Sequence, residues 1–414
     1  MKRIMILGGG ENQLPLIKSA KELGYYVIVC DMRDQLEGVK LADFHVPINY
    51  TQRELVLEAA KEHKIDGITS NSEPAMLSVA YVAEKLGLPG NSVESVETLL
   101  SKSKFRQLQK RAGVFAPEHV LVDTVEELLT HAATFHYPII VKPEASSGTR
   151  GTTKLIQYDE AALREAFSVC QAFSRTDRVA MEEYVEMPSL RINNAEIFVL
   201  NDDIFWDGVF WEDRSPELPL VPMTEIYPMV IPEEDLKMFQ RTIHKIIRNS
   251  GATLGQFNLE AFFTLDHQVF VVEINPRQGG NCIPQSVKEH TGVDLTKLLV
   301  TTTVNDMSYC EELKTYQREH NFITCQVIIP RKKGIYTGLY VDSDILPYIS
   351  WIKHVVQPGT AVARGKNAGE TVAFVGMRFP SYEIQHKYTD EIERYVYAEI
   401  EEGSVESGEN ADEL

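Results

Sequence analysis

The chain has 414 residues, with 41 Lys and Arg against 60 Asp and Glu and a formal net charge of -19. That balance excludes a phosphate-neutralising basic face, and with it a general nucleic-acid binder. Hydrophobic residues make up 43% and charged residues 24%, the profile of a soluble globular protein of about two to four domains, and no apolar run approaches the ~20 residues of a membrane span.

In chain order, residues 3–7 read as a buried strand behind a basic start, cut too short for a signal peptide by Gly8-Gly9-Gly10. A helix is expected over 12–23, a strand over 26–31, a helix capped by Thr51 and running to His63, a strand over 66–70 and a helix over 73–86. Strands separated by helices of ~10–15 residues imply a parallel α/β sheet, closed near residue 95 by the turn at 87–90. A helix over 101–112 follows, then strands at 137–142, 152–157, 179–185, 191–200, 204–211 and 223–230. A long helix over 233–249 precedes strands at 257–265 and 268–274. Residues 311–400 read as a β-rich unit ending in a helix near 391–401, and 401–414, with six acids and no base, as a disordered tail. The five cysteines are scattered without a CxxC pair, which excludes a disulfide scaffold and a thiolate zinc site and fits a reducing cytoplasm.

The strongest chemical signal is a hairpin. Centred between Asp266 and His267, it sets Glu260 directly opposite Glu273, with Cβ atoms ~4.5–5.5 Å apart, and Asn275 follows on the same face. Two carboxylates so close among apolar residues are unfavourable without a cation. With an amide oxygen they make a hard site suited to Mg2+, completed by phosphate. The alternative is a sheet edge with one Glu turned to water, since Asp-His is not a diagnostic turn pair. Lys142 ends an apolar strand, its stem buried and its ammonium held in place, ahead of a small-residue loop at 146–151 whose N–H groups suit phosphate. That loop does not match a Walker A pattern, and a plain hairpin loop is the alternative. Lys102, Lys104 and Arg106 open a helix against its macrodipole, answering an anion or forming a solvated face. Glu182 and Glu183 end a strand that could border an adenine, or an ordinary strand. Gly8-Gly9-Gly10 with Asp31 suggests a dinucleotide fingerprint but fails where Gln13 stands.

In this order and spacing the segments resemble the ATP-grasp superfamily of carboxylate–amine ligases, of the carbamoyl phosphate synthase large chain-like and L-amino acid ligase-like type. The resemblance runs from the first strand to about residue 310, and Glu260 followed by Glu273-Ile274-Asn275-Pro276-Arg277 and Gly279-Gly280 is its most specific block. It implies an α/β preATP-grasp domain at 1–95, a two-subdomain α+β ATP-grasp fold at 96–310 with a lid at about 118–185, and a small β-rich carboxy-terminal region. It implies ATP and Mg2+, with Mn2+ as the alternative ion. Lys102 and Lys142 would meet the phosphates under a loop containing Ser147, Gly148, Arg150 and Gly151. Glu182, Glu183 and Val185 would line the adenine, and Glu260, Glu273 and Asn275 would hold metal. Arg277 would contact the carboxylate, making it and Lys142 the catalytic pair. The implied reaction converts a carboxylate and ATP to an acyl-phosphate and ADP, and an amine then displaces phosphate. Both substrates would be small molecules, an amino acid among them. A homodimer is the family-level expectation, in the cytoplasm, with neither nucleic acid nor membrane as partner. Many members carry an acid or His where Leu190 stands, so ribose contacts must come from elsewhere. Other readings are a non-catalytic ATP-binding regulator of the same fold, a purine-pathway carboxylase or transformylase, and an oxidoreductase built on the first α/β unit. Trp206, Trp211, Arg214 and the Pro-rich run 216–222 are candidates for shaping an acceptor pocket, the alternative being core aromatics and a surface loop.

Overall fold

In the computed structural model, which describes residues 1–144, 151–174 and 176–401, the chain divides into two compact units. Met1–Pro188, Ile192–Val209 and Val230–Glu319 form the first; Ser189–Arg191, Phe210–Met229 and the chain from His320 form the second.

The first unit opens with β1 (Arg3–Leu7), β2 (Tyr26–Cys30), β3 (Phe44–Val46) and β4 (Gly67–Thr69), all parallel, in the order β3-β2-β1-β4. After their first residues β1 and β2 are wholly buried, as central parallel strands covered by helices must be. The helices are α1 (Leu14–Glu22), α2 (Glu37–Leu41), α3 (Arg53–His63), α4 (Met76–Leu86) and α5 (Val93–Leu100). Thr51 does not cap α3. Gln52 holds the cap position without a side-chain bond, because the Asn49 carboxamide takes both the amide and the hydroxyl of Thr51 at 3.0 and 2.8 Å. The short α2, β3 and α5 span too few residues to show a period.

Next come α6 (Lys102–Arg111) and an antiparallel sheet of β5 (His119–Val122), β6 (Ile139–Pro143), β7 (Thr153–Leu155) and β8 (Val179–Glu183), in the order β5-β8-β6-β7. Two helices absent from the sequence expectation, α7 (Val125–Ala132) and α8 (Glu160–Phe173), share a core with this sheet that includes Leu128, Val141, Leu163, Phe167 and Val179. Each carries a genuine N-cap, Thr124 accepting from Glu127 N and Asp159 from Ala162 N.

β9 (Arg191–Leu200) leads to β10 (Asp203–Ser215), to β11 (Leu218–Tyr227) in the second unit, and to the long α9 (Glu233–Ser250) of the first. α9 buries Phe239, Ile243, Ile246 and Ile247 at helical spacing. β12 (Leu254–Phe263) then pairs antiparallel with both β9 and β13 (Val269–Asn275). Trp206 packs edge-to-face on Phe239, ring centroids 6.4 Å apart, beside this core. Helices α10 (Ile283–Thr291), α11 (Leu295–Thr303) and α12 (Ser308–Thr315) close the unit. α11 comes so near β4 that a Cβ on Gly67 would lie 2.2 Å from the Thr303 carbonyl oxygen, so only glycine fits there.

The second unit adds β14 (Phe322–Ile328), β15 (Gly334–Val341), β16 (Ile349–His354), β17 (Thr360–Val362), β18 (Ala373–Phe379), α13 (Tyr382–Thr389), α14 (Ile392–Tyr395) and β19 (Val396–Glu401). Within it β11-β14-β18-β16 form one sheet and β17-β15-β19 another. The helix expected near 391–401 is therefore a correction. Only one turn is helical, and Val396–Glu401 is a strand on β15, with Val396 and Ile400 buried and Tyr397, Glu399 and Glu401 exposed. That alternation has period two, which outranks the helix-forming composition. The expected disordered tail beyond Glu401 lies outside the described residues. Among the described residues no helix is long and apolar enough to cross a membrane.

Candidate functional site

The β12–β13 hairpin places the two carboxylates. Glu260 pairs with Glu273 and Asn258 with Asn275, but from Ala261 onward the register shifts, Ala261 pairing with Val271. The turn is a three-residue loop, Leu265 to His267. In it the Thr264 amide donates to Gln268 O at 2.8 Å, the His267 amide to Thr264 O at 2.9 Å, and His267 is left-handed at φ 56°. The loop is thus one residue longer than a turn centred between Asp266 and His267, and a β-bulge at Val272 takes that residue back before Glu273. The expected opposition of Glu260 and Glu273 stands because the two departures cancel. Asn275, 7% exposed, donates its amide to Glu273 Oε1 at 2.7 Å, which leaves its own Oδ1 as an acceptor. From β9, Asn194 pairs with Glu260, and its Oδ1 accepts from Ala261 N at 3.4 Å. Among the described residues no three His, Cys, Asp or Glu side chains converge as a protein-only metal cage. Two carboxylates and amide oxygens fit Mg2+, which draws much of its shell from water and phosphate.

Cations gather at α6 and β6. Lys142 is 8% exposed and its ammonium bonds to Glu182, itself 6% exposed. The same carboxylate takes Arg106 Nε at 2.9 Å and Nη2 at 3.3 Å. Burial alone would raise the Glu182 carboxyl, but Arg106 and Lys142 reverse that and hold it well below the ordinary range. Burial pushes the Lys142 ammonium down to about 8; Glu182 opposes this, while Arg106 and Lys102 add to it. Lys102 opens α6, whose N-terminus is met by Glu144. That carboxylate accepts from the Ser101 hydroxyl and from Ser103 N at 3.3 Å. Part of the basic cluster's answer to the macrodipole is therefore internal. Among the described residues, the cations Lys102, Arg106 and Lys142 thus gather with the carboxylates Glu144 and Glu182, all but Lys102 buried.

Arg277 follows β13. Its Nη1 donates to Gln278 O at 3.1 Å and its Nη2 lies 3.9 Å from Glu73, and it lines a cleft with Thr69, Ser70, Asn91 and Gln256. Glu196, on the doubly buried β9, is wholly inaccessible. Its Oε1 accepts from Gly279 N at 2.9 Å and Gln256 Nε2 at 2.6 Å, and a Cβ on Gly279 would lie 2.7 Å from its Oε2. Burial pushes this carboxyl up to about 7, against the lowering effects of Gly279 N–H and the Arg277 charge.

The remaining expected residues scatter more. Glu183 pairs with the exposed His136 at 3.1 Å, and Val185 packs on Ile192, Phe262 and Phe270. Gly151 has φ 77° against Pro143 and Phe173, while Ser147, Gly148 and Arg150 lie outside the described residues. Asp31 is occupied by Gly9 N at 3.1 Å and a bidentate Arg33 at 3.0 Å, which removes the acid a dinucleotide ribose would need. The sequence assigns no role to Glu73, Glu144, Asn194 or Glu196, and reads Arg106 only as part of a basic cluster that answers an anion or forms a solvated face, not as the partner of Glu182. The usable signal is a charge on a buried stripe: Arg106 sits among Ser103, Phe105, Leu108 and Gln109 on α6, and Glu196 within the eight buried residues of β9.

The family model "ATP-grasp N-terminal domain" matches residues 17–90 and "Carbamoyl-phosphate synthase L chain, ATP binding domain" matches 101–306, together about two thirds of the chain. An uncharacterized protein of Sinorhizobium fredii, y4rH, is 26% identical over 78% of this chain and 65% of its own length. The carbamoyl phosphate synthase large chain of Thermotoga neapolitana is 24% identical over 91% of this chain but only 35% of its own. The chain thus spans less than two thirds of either relative. Among solved structures, the L-amino acid ligase from Bacillus licheniformis has a TM-score of 0.81 at 18% identity, covering 97% of this chain and 99% of that one; at that identity the likeness concerns the fold.

Proposed function

Because the chain belongs to the ATP-grasp superfamily, we propose that it is an ADP-forming ligase that activates a small carboxylate with ATP and joins it to an amine. Phosphoryl transfer asks a protein for charge neutralisation and alignment more than for a nucleophile. Lys102, at the start of α6, and Lys142, buried on β6, would supply the charge. Ser147, Gly148, Arg150 and Gly151 would cover the phosphates, and Glu182, Glu183 and Val185 would border the adenine. Glu260, Glu273 and Asn275 would hold Mg2+, which when bound neutralises the β- and γ-phosphate oxygens; Mn2+, with the same preference for oxygen, is the alternative ion. Arg277 would orient the carboxylate beside the γ-phosphate, with a guanidinium suited to bidentate contact. The amine would then attack the acyl-phosphate carbonyl and phosphate would leave.

The observation that carries this reading is the direct opposition of Glu260 and Glu273, with Asn275 bonded to one of them. Such a pair is costly without a cation and matches the hard donor set of a Mg–nucleotide site. The test is release of ADP and phosphate from ATP and Mg2+ across a panel of carboxylates, amines and amino acids, purine-pathway intermediates included. Turnover with one pair, lost in Glu273→Gln, supports the ligase. ATP binding with no turnover for any pair would instead make the chain a nucleotide-binding regulator.

A further inference from the structure

Arg106 is 2% exposed and spends its donors on three partners besides its own helix. It makes the fork to Glu182 on β8, and its Nη1 donates to Val271 O at 3.2 Å and Val272 O at 3.0 Å on β13, as well as to Gln109 Oε1 at 2.9 Å. Gln109 Nε2 adds a bond to Val271 O at 2.8 Å, and the guanidinium lies 4.9 Å from the Phe270 ring centroid. The two carbonyls it holds belong to Val272, the bulge residue, and to Val271 just before it, next to Glu273. One side chain therefore ties together the helix that begins with Lys102, the strand whose Glu182 holds Lys142, and the strand that ends in Glu273 and Asn275.

We propose that Arg106 is a positioning residue for nucleotide binding: through Glu182 it sets the place and charge of the Lys142 ammonium, and through the bulge carbonyls it fixes that ammonium relative to the Glu260–Glu273 pair. This rests on the reading that Lys142 meets the ATP phosphates. A lysine at position 106 could keep the charge but not the planar fork, so it could not hold a carboxylate and two carbonyls at once.

Among the described residues, the groups facing Lys142 are Lys102 and Arg106 from α6 and Glu182 from β8, with His119 on β5 directly across from Glu182. Arg106 depresses the proton affinity of Lys142 and Glu182 raises it. Removing each should move the alkaline limb of ATP binding in opposite directions. In the full chain, equilibrium binding of ATP with Mg2+ between pH 6.5 and 9.5 is expected to weaken above about 8. Arg106→Gln should shift that midpoint upward and Glu182→Gln downward, with affinity reduced by about 10–100-fold in each, as for other groups that orient a binding side chain. Arg106→Lys should keep the midpoint and lose about tenfold in affinity. If a neutral variant fails to fold, the lysine variant decides: wild-type affinity overturns the proposal. Unmoved midpoints with lowered melting temperatures would make Arg106 a structural strut and also overturn it. Absence of ATP binding in the unaltered chain would remove the functional reading itself, a different result from binding with unshifted midpoints.

Discussion

Glu196→Gln separates the electrostatics of a buried carboxyl beside Gly279 from its packing. Glu196 is fully buried and its carboxyl, ordinarily at 4.5, is pushed up to about 7. A raised carboxyl binds its proton more tightly when folded than when unfolded. Its stabilising contribution is therefore complete below 4.5, declines as pH rises, and is gone above about 7. The interval from 4.5 to about 7 corresponds to ~3 kcal/mol. Glutamine mimics the protonated acid, and its carbonyl can keep the bonds from Gly279 N and Gln256. Urea denaturation followed by circular dichroism should find the variant close to wild type at pH 5 and more stable by ~3 kcal/mol at pH 8. A stability difference that is the same at both pH values, or a variant weaker at pH 8, would refute the claim that burial dominates this carboxyl.

Glu273→Gln should reduce Mg2+-dependent ATP binding by about 100-fold or more, read by titration of Mg2+ at fixed nucleotide, while binding without metal changes little. Lys142→Ala should weaken ATP by at least about tenfold at pH 7 and flatten the alkaline limb, measured by calorimetry. Gly67→Ala should lower the melting temperature through a cost of ~2 kcal/mol or more, since the Thr303 carbonyl stands 2.2 Å from the new Cβ and is backbone rather than a yielding side-chain tip. An unchanged melt would mean that α11 can withdraw from β4.

Three of the four strands of the first α/β sheet are legible, β1 and β2 as continuous apolar runs and β4 from its place between periodic helices, while the three-residue β3 is too short to show. The small sheet of β5 to β8 is half legible: β6, β7 and β8 show as apolar runs, while the four-residue β5 and the helices α7 and α8 do not, despite the caps at Thr124 and Asp159. β19 misled because Glu391 to Glu401 is rich in helix formers, and its pairing partner Gly334–Val341 lies about sixty residues away. The opposition of Glu260 and Glu273 is legible because their partnership is local, one hairpin apart. Arg106 and Glu196 were not, because their partners lie 76 and 83 residues off, at Glu182 and Gly279. A charge on an apolar stripe announces that some partner exists without naming it.

The bulge at Val272 also makes the hairpin tip a place for engineering. Strand pairing next to the loop follows one register and pairing at Glu273 another, so the bulge acts as an expansion joint between tip and carboxylates. With Arg106 and Gln109 clamping Val271 and Val272 on the site side, a change of loop length at Leu265, 71% exposed, is absorbed before it reaches Glu273. A short reporter peptide or a fluorophore-bearing cysteine grafted there would sit a few residues from the Glu260–Glu273 pair without altering its register.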